Sequence, residues 1–239
     1  MSLSEYEQKY VRIRTIYGDT LTGLARYGDC EFLRCEWGGE EEGLFIEDFL
    51  VYRSQIESIE EIEVHGTVEL WTDRMILRRY RPEDAEPLHR GLGTDPTAFP
   101  YAGRNPYATP ETARETVRQI IESSRDEHFY AWVMDIEDVV VGTIGARPLE
   151  GGRTEVGFNI VRGWRGRGLA AEALKKVLEY LTKNEGISCV TASCAPEDGA
   201  ARRALEKAGM RLVRAERDGR AGGGEAGGKA LCSFRFPCE

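Results

Sequence analysis

The chain has 239 residues, of which 41% are hydrophobic and 31% are charged, and its formal net charge is −9. This length and apolar content suffice for the cores of two small domains, and the composition excludes a disordered or collagen-like chain. No run approaches about 20 apolar residues, so we expect no membrane-spanning helix, and residues 1–5 lack the basic and apolar regions of a signal peptide.

The first quarter of the chain has the pattern of short strands joined by tight turns. The first strand alternates apolar and basic side chains, as a half-buried strand does, and Gly18 and Asp19 then predict a turn. Strands this short favour a small, strongly bent all-β barrel. The predicted strands cover, in chain order, residues 10–16, 20–24, 30–37 and 44–49, and a last apolar segment contains Ile56, Ile59 and Ile62.

This N-terminal pattern resembles an Sm-like or SH3-like barrel over about fifty residues, with a glycine kink at Gly23 and the closing isoleucines. Sm proteins that bind RNA carry an Asn after the Asp of the third strand and an Arg-Gly pair near the end. Here Asp29 has no such Asn, and Tyr52, Arg53 and Ser54 stand where the Arg-Gly pair would be. The resemblance therefore implies the barrel without its RNA-binding residues.

The net charge of the chain lies entirely in this N-terminal quarter. Residues 1–65 contain 6 Lys and Arg against 15 Asp and Glu, whereas residues 66–239 contain 26 of each. We therefore predict two domains, residues 1–65 and 66–239. Because an acidic surface repels phosphate groups, we expect residues 1–65 to serve docking or homo-oligomer assembly, and not nucleic-acid binding.

From residue 66 onward, alternating strands and helices predict a mixed α/β sheet flanked by helices. Thr109 and Pro110 are typical of the N-cap and first position of a helix, and residues 169–183 have one apolar helical face. A tract with six glycines, residues 218–229, predicts a loop. Strands are predicted at residues 70–80, 129–136, 139–146, 155–161, 187–194, 210–215 and 230–237, and helices after Pro82, from Thr109, at 169–183 and at 199–207.

The six cysteines and three histidines contain no C-x-x-C pair and no clustering of the four ligands that a zinc site needs. We therefore expect no metal site. Reduced cysteines are typical of a cytoplasmic protein, and cytoplasmic localisation is the prediction.

A turn rich in Gly and Arg lies between a predicted strand and the long helix at residues 169–183. Gly166 and Gly168 allow the backbone to approach a ligand closely, and the helix N-terminus supplies unpaired N–H donors and partial positive charge. Arg165 and Arg167 add full charges. The turn is therefore a candidate pyrophosphate site, although Gly-Arg-Gly also occurs as an ordinary surface turn.

The same turn resembles the acyl-CoA signature of the GNAT acetyltransferase superfamily, Arg/Gln-x-x-Gly-x-Gly/Ala, in Arg165, Gly168 and Ala170. Three further segments agree in order, and the likeness covers residues 68–237. They resemble the branch that acetylates the N-termini of ribosomal proteins: residues 71–85 its opening strand and helix, Glu155-Val156-Gly157-Phe158 its fourth strand, and residues 196–210 its closing motif.

The resemblance implies an acetyl-CoA-dependent N-acetyltransferase whose acceptor is a primary amine, either a protein N-terminus or a small amine. It implies that the pantetheine arm binds the end of the fourth strand. The cofactor-binding residues implied are Phe158, Ile160 and Val161 for this arm, Arg165, Gly166, Arg167, Gly168, Leu169 and Ala170 for the pyrophosphate, and Asp198, where the family usually has Asn.

Glu155 is the candidate general base. An attacking amine is protonated at neutral pH, and a carboxylate can remove the proton directly or through water. Strand alternation places Glu155 on the face of Gly157 and Asn159, and the superfamily often has a Glu here. The alternative is that Glu155 forms an ordinary ion pair with Arg153 or a neighbouring strand.

The family's usual proton donor for the departing thiolate is missing. Ala201 and Leu205 occupy the positions where the resemblance implies a Ser or a Tyr, and the nearest substitutes in the motif are Ser193 and Cys194. A thiolate can also leave unaided, because a thiol pKa near 8.5 makes it a tolerable leaving group. Two alternatives to an enzyme remain open: a CoA-binding regulatory module without turnover, and an interaction protein that works through its N-terminal barrel.

Overall fold

The computed structural model describes residues 2–46, 49–99, 105–149, 152–217 and 230–236. The chain divides into two compact units, Met1–Val64 and His65–Glu239. Each unit is described separately below.

The N-terminal unit is a five-stranded antiparallel sheet with the order β4-β3-β2-β1-β5. The period-2 pattern of β1 is confirmed, because Val11 and Ile13 are buried and the intervening arginines are exposed. A short 3₁₀ turn at Leu3–Tyr6 adds two buried side chains to the core. The elements are β1 Tyr10–Thr15, β2 Thr20–Gly28, helix α1 Cys30–Trp37, β3 Gly43–Ile46, β4 Phe49–Tyr52 and β5 Ile56–Glu61.

Three predictions for this unit are wrong. The single strand expected at residues 44–49 is two strands, because β3 ends at Ile46 and β4 begins at Phe49, and the two pair antiparallel. The third strand expected at residues 30–37 is the helix α1, which Asp29 caps by accepting a 2.8 Å hydrogen bond from Phe32 N. Gly38 ends the helix in the left-handed conformation at φ 69°. The closed barrel is also wrong: β4 and β5 are the two edges of the sheet, and the described strands leave it open. Strands of four residues, as β3 and β4 are, do not wrap far enough to bring these edges together.

The C-terminal unit confirms the expected mixed α/β architecture. Its sheet has eight strands in the order β12-β13-β11-β10-β9-β8-β7-β6, and its helices lie against the sheet faces. The strands are β6 Leu70–Trp71, β7 Ile76–Arg78, β8 Tyr130–Ile136, β9 Val139–Leu149, β10 Arg153–Ile160, β11 Val190–Cys194, β12 Arg211–Arg217 and β13 Ala230–Arg235. The helices are α2 Ala85–Leu88, α3 Pro110–Ser123, α4 Leu169–Lys183 and α5 Gly199–Lys207.

The helix boundaries follow the capping signals. Thr109 Oγ1 accepts a 3.2 Å hydrogen bond from Thr112 N, and Pro110 is the first residue of α3. Helix α4 covers the predicted residues 169–183, and seven of its side chains are buried. Glu137 and Asp138 form the predicted turn between β8 and β9, both with positive φ.

Two C-terminal predictions are wrong in detail. The single strand expected at residues 70–80 is the hairpin of β6 and β7, because Thr72 N donates to Met75 O at 3.0 Å and closes a turn. The helix expected after Pro82 is mixed: a 3₁₀ turn at Pro82–Asp84, α2, and a π-helical turn at His89–Gly93. The predicted glycine-rich loop, residues 218–229, lies outside the described residues.

Buried side chains fill both faces of the C-terminal sheet. On one face, Trp132 packs edge-on against Tyr180 of α4, with their ring centroids 6.1 Å apart. On the other, Val133 and Val140 pack with α2 and α3. Arg78, 7% exposed, pairs with the buried carboxylates of Asp84 and Asp135 at 2.8 and 2.7 Å. β9 and β10 are the two central strands of this sheet, and the candidate site lies beside them.

Candidate active site

The central feature of the C-terminal sheet is a separation of two parallel strands. β10 and β11 pair only at Thr154 with Val190 and at Glu155 with Thr191. Beyond that point β10 stays paired with β9, and β11 pairs with β13 from Thr191 to Cys194. The two strands therefore diverge after Glu155 and leave a main-chain edge of β10 facing the gap.

The hydrogen-bond ladder shows which residues face this gap. Val161 N donates to Val141 O on the β9 side, whereas Thr154 N donates to Cys189 O on the β11 side. Because main-chain groups along an antiparallel strand alternate between its two edges, those of Val156 and Phe158 point into the gap. Two predicted pantetheine residues, Phe158 and Ile160, thus lie on the open edge, whereas the N–H of Val161 is taken by β9. Val156 was missed, although the same alternation indicates it.

The turn before α4 has the backbone shape that its glycines predict. Gly166 and Gly168 have φ values of 79° and 82°, in the left-handed region that favours glycine. A Cβ added to Gly166 would meet no atom within 4 Å, and one on Gly168 would meet only Arg74 Nη2, at 3.6 Å. The N-cap of α4 is Gly168, which has no side chain to accept a hydrogen bond from the first turn of the helix. Open space, unshielded amides and the helix dipole fit a pyrophosphate.

The charge of Arg165 suggested a ligand for phosphate, but its side chain is bonded to other groups of the protein. Its guanidinium turns inward and donates to Ile160 O at 2.9 Å, to Thr97 Oγ1 at 2.9 Å and to Asp95 Oδ2 at 2.6 Å. Arg165 therefore joins the turn to the end of β10 and to the segment around Asp95. Its main-chain amide stays part of the predicted turn.

Asp95 is almost completely buried, at 6% exposure. Burial opposes its negative charge, but hydrogen bonds from Thr97 and the neighbouring Arg165 guanidinium outweigh burial and lower the pKa of Asp95. The carboxylate is thus ionised at neutral pH and anchors the arginine. Asp95 and Thr97 lie between the π-helical turn and α3.

A second ion pair supports the turn from the other side. Arg74 Nε donates to Glu172 Oε2 at 2.7 Å, and its Nη1 donates to Arg167 O at 3.0 Å. Thr72 Oγ1 also donates to Glu172, at 2.7 Å. These bonds outweigh burial and lower the pKa of Glu172. Sequence reasoning did not assign this support, because Glu172 lies 98 residues from its partner.

Arg167 remains at the surface of the turn. Its guanidinium carbon lies 4.6 Å from the ring centroid of Trp164, and its Nη2 donates to Gly163 O at 3.1 Å. An arginine stacked on an aromatic ring keeps its charge beside the turn. Of the two predicted arginine side chains, Arg167 is therefore the one available to a phosphate.

Glu155 lies at the last paired position before β10 and β11 diverge. Its side chain is 30% exposed and forms a 2.8 Å ion pair with Arg147 Nη2 on β9. Ser193 Oγ on β11 donates to it at 3.4 Å. The ion-pair partner is thus Arg147, the residue opposite in the β9 ladder, and not Arg153. The carboxylate therefore stands at the point where the two strands begin to diverge.

The residues of the closing motif have other contacts. Asp198 caps α5 by accepting a 2.9 Å hydrogen bond from Ala201 N. Cys194 is buried, and its burial raises the pKa of its thiol to about 11. Ser193 is exposed, so of the two substitutes named from the sequence it is the accessible one.

A buried pair of tyrosines lies on the sheet face that carries Asn159, and sequence reasoning missed it. Tyr80 and Tyr107 have their hydroxyl oxygens 3.3 Å apart, and Tyr80 also hydrogen-bonds Thr143, the cross-strand partner of Asn159. Burial raises the pKa of Tyr107 to about 12 and that of Tyr80 well above its ordinary value. Both hydroxyls are therefore protonated at neutral pH.

Among the described residues, no three His, Cys, Asp or Glu side chains come together in a group that could hold a metal ion. The helices of the described ranges are too short or too polar to cross a membrane.

Two parallel strands that diverge beside an open glycine turn at a helix N-terminus leave room for an extended ligand that carries phosphate groups. A family model described as "Acetyltransferase (GNAT) domain" matches residues 74–211, more than half of the chain. The chain therefore belongs to the GNAT family of acetyltransferases.

A relative in sequence is also described as an N-acetyltransferase. An uncharacterized N-acetyltransferase p20 of Bacillus licheniformis is 29% identical over 133 residues, which cover 54% of this chain and 74% of that protein.

Solved structures share the fold. Mycobacterium smegmatis RimJ in complex with CoA-disulfide has a TM-score of 0.62 at 15% identity, and the match covers 73% of this chain and 90% of that one. The ribosomal-protein-S5-alanine acetyltransferase of Vibrio fischeri has a TM-score of 0.58 at 12% identity, covering 72% and 97%.

Proposed function

We propose that this protein transfers the acetyl group of acetyl-CoA to a primary amine, and that a protein N-terminus is the acceptor. The observation that carries the proposal is the open main-chain edge of β10 leading to the glycine turn at residues 165–170. A strand edge pairs with the amide groups of a pantetheine arm much as it would with another strand. The turn then receives the pyrophosphate.

The chemistry follows from where the carboxylate lies. Acetyl-CoA supplies an activated acyl group, since its thioester carbon accepts a nucleophile and its thiolate then departs. Glu155, at the entrance to the gap, takes a proton from the acceptor ammonium, directly or through water, and leaves the neutral amine that attacks. The amine adds to the thioester carbon, the nitrogen gives its second proton to water, and the C–S bond breaks as the carbonyl re-forms. The thiolate takes a proton from solvent or from Ser193, the exposed hydroxyl beside Glu155, which solvent then reprotonates.

Two observations favour a protein N-terminus as the acceptor. The neighbours in fold include an enzyme named for acetylating alanine of ribosomal protein S5. The segments at residues 71–85 and 196–210 resemble the same branch. A small amine is the second candidate acceptor, since one scaffold serves many acceptors.

We further propose that residues 66–239 carry the activity and that residues 1–65 serve docking or assembly. The support is the separate core of the first unit and its excess of nine carboxylates. Light scattering on the full chain and on residues 66–239 would show whether the mass per particle depends on the first unit.

A CoA-binding module without turnover is the competing function. It is favoured by Ala201 and Leu205, which stand where the family has hydroxyls, and by the use of Asp198 as a helix cap. Such a module would bind acetyl-CoA without releasing its thiol.

The deciding experiment measures thiol release from acetyl-CoA with matched acceptors. The panel contains a peptide with a free N-terminus, the same peptide N-terminally blocked, and small amines. Release with the free peptide alone supports the proposal, and release with small amines alone overturns the acceptor class. A melting temperature raised by acetyl-CoA without thiol release would support the binding module.

A further inference from the structure

The N-terminal unit exposes a cluster of aromatic rings, made of Phe32 and Trp37 of α1 and Phe45 of β3. Phe32 is 49% exposed and Trp37 is 62% exposed. Their ring centroids lie 6.4 and 5.8 Å from that of Phe45, in edge-on arrangements. The rings thus form one continuous surface, named the aromatic cluster below.

The folding of α1 does not require this exposure. Leu33, with no exposed surface, is the side chain that anchors the helix to the unit's interior. Phe32 and Trp37 flank it on the helix and stay largely in water. Keeping two large rings in water loses the apolar burial that folding favours, so a contiguous exposed cluster points to a binding surface.

The surroundings of the aromatic cluster are acidic. Residues 26–46 contain two arginines against six carboxylates. Glu41 and Glu42 are engaged, by Ser54 and by the Tyr27 hydroxyl. The carboxylate of Glu36, on the helix between Phe32 and Trp37, forms no hydrogen bond or ion pair with any part of the chain that the structure describes, and the same holds for the carboxylates of Glu31 and Glu40.

One ring of the cluster already binds a cation. The guanidinium carbon of Arg26 lies 5.4 Å from the ring centroid of Phe45. Aromatic faces attract cations through their quadrupole, by about 0.5–1 kcal/mol at an exposed site. Unpaired carboxylates next to such rings add a longer-range attraction for the same ligands.

We propose that the aromatic cluster and its unpaired glutamates bind a lysine- or arginine-rich peptide segment of another protein. The rings take the aliphatic stems and charged heads of the basic side chains, and Glu31, Glu36 and Glu40 complete the charge pairing. A second copy of this chain fits less well, because residues 1–65 carry a net charge of −9 and repel one another. The inference stands apart from the proposed acetylation, since it concerns where a basic protein docks.

The test uses the full chain and fluorescent peptides of one length, titrated by anisotropy at about 50 and 300 mM salt. One peptide carries four lysines among glycine and serine, and its counterpart carries four glutamates. We expect the basic peptide to bind more weakly at the higher salt concentration and the acidic one not to bind. Trp37→Ala should weaken binding by about three- to fivefold, and Trp37→Phe should retain most of it.

The matched control is Tyr17→Ala, an aromatic side chain of the same unit that is 71% exposed and lies outside the cluster. It should leave peptide affinity unchanged. Because Trp37 and Tyr17 are both exposed, the melting temperatures of the three variants should match that of the unaltered protein and exclude unfolding as the cause.

Three results would overturn the proposal: no binding of the basic peptide, equal binding of the acidic peptide, or an equal loss in Tyr17→Ala and Trp37→Ala. Sedimentation of the unaltered chain and of Trp37→Ala distinguishes a basic segment from a second copy of the chain as the partner. A dimer that dissociates in Trp37→Ala would show that a second copy, and not a basic segment, covers the cluster.

Discussion

The two units of this protein present binding features of opposite construction. The glycine turn of the C-terminal unit is formed by main chain, and its position is held by buried or half-buried ion pairs, Arg165 with Asp95 and Arg74 with Glu172. The aromatic cluster of the N-terminal unit is formed by exposed side chains. A main-chain site responds to changes in backbone shape and in its supports, whereas a side-chain surface responds to truncation of the side chains themselves.

The ion pairs of the two units also differ in how much they contribute to the stability of the fold. Cross-strand ion pairs between β1 and β5, such as Arg14 with Glu57 at 3.0 Å, are exposed, so solvent screens them and they add little to stability. In the C-terminal unit, Arg78 and its two carboxylates are buried, so removing one partner would leave an uncompensated charge. Surface charge in the first unit is therefore free to serve binding, whereas charge inside the second maintains the fold.

The largest effect is expected from Gly168→Val. A β-branched residue is strained at φ 82° and would distort the amides of the turn, so the rise in melting temperature caused by acetyl-CoA should be abolished. Thermal unfolding with and without acetyl-CoA measures it. The matched control is Gly152→Val, at φ 71° and with no atom within 4 Å of an added Cβ. If both variants keep the shift, the ligand binds elsewhere.

Glu155→Gln should lower turnover by about 10²-fold at neutral pH with little change in acetyl-CoA binding, because the amide cannot accept the proton. Arg147→Gln is the control, since it removes the same ion pair and keeps the carboxylate. A pH–rate profile of both variants provides the comparison. Equal losses in the two would show that Glu155 serves only the ion pair.

Asp95→Asn should lower the free energy of unfolding by about 1–2 kcal/mol, the order expected when a buried hydrogen bond to a charged group loses its charge. It should also weaken acetyl-CoA binding, since Arg165 would hold the turn less firmly. Denaturant unfolding and calorimetric titration measure the two effects. If stability falls and the affinity for acetyl-CoA is unchanged, acetyl-CoA binding does not depend on the ion pair between Asp95 and Arg165.

The smallest effect concerns pH and Glu172. Its pKa is lowered in the folded state, so its stabilisation is complete above its unfolded pKa and is lost as the pH falls through the folded value. Glu172→Gln should therefore cost about 1 kcal/mol at pH 7, and the difference from the unaltered protein should shrink below about pH 4.5. The same substitution at Glu179, in an exposed pair with Lys183 on the same helix, should cost less than half as much. A difference that grows in acid would contradict the assignment.

Local signals in the sequence were sufficient for most of the C-terminal unit. Thr109, Pro110 and the apolar face of residues 169–183 predict α3 and α4, because capping and periodicity depend only on near neighbours. The glycine turn is equally local, since positive φ at Gly166 and Gly168 is a property of those residues. In the N-terminal unit the same rules predict β1, and Asp29 and Gly38 are the local cap signals that identify α1.

These local signals do not predict which residues pair when they are far apart in the chain. The divergence of β10 from β11, the inward turn of Arg165 toward Asp95 and the link from Arg74 to Glu172 each join residues far apart in the chain. An arginine has the same charge whether it faces a ligand or a buried carboxylate, and its direction depends on what packs beside it. The chemistry of the site can therefore be read from residue types, whereas the partner of each charged group follows from how the strands and helices meet.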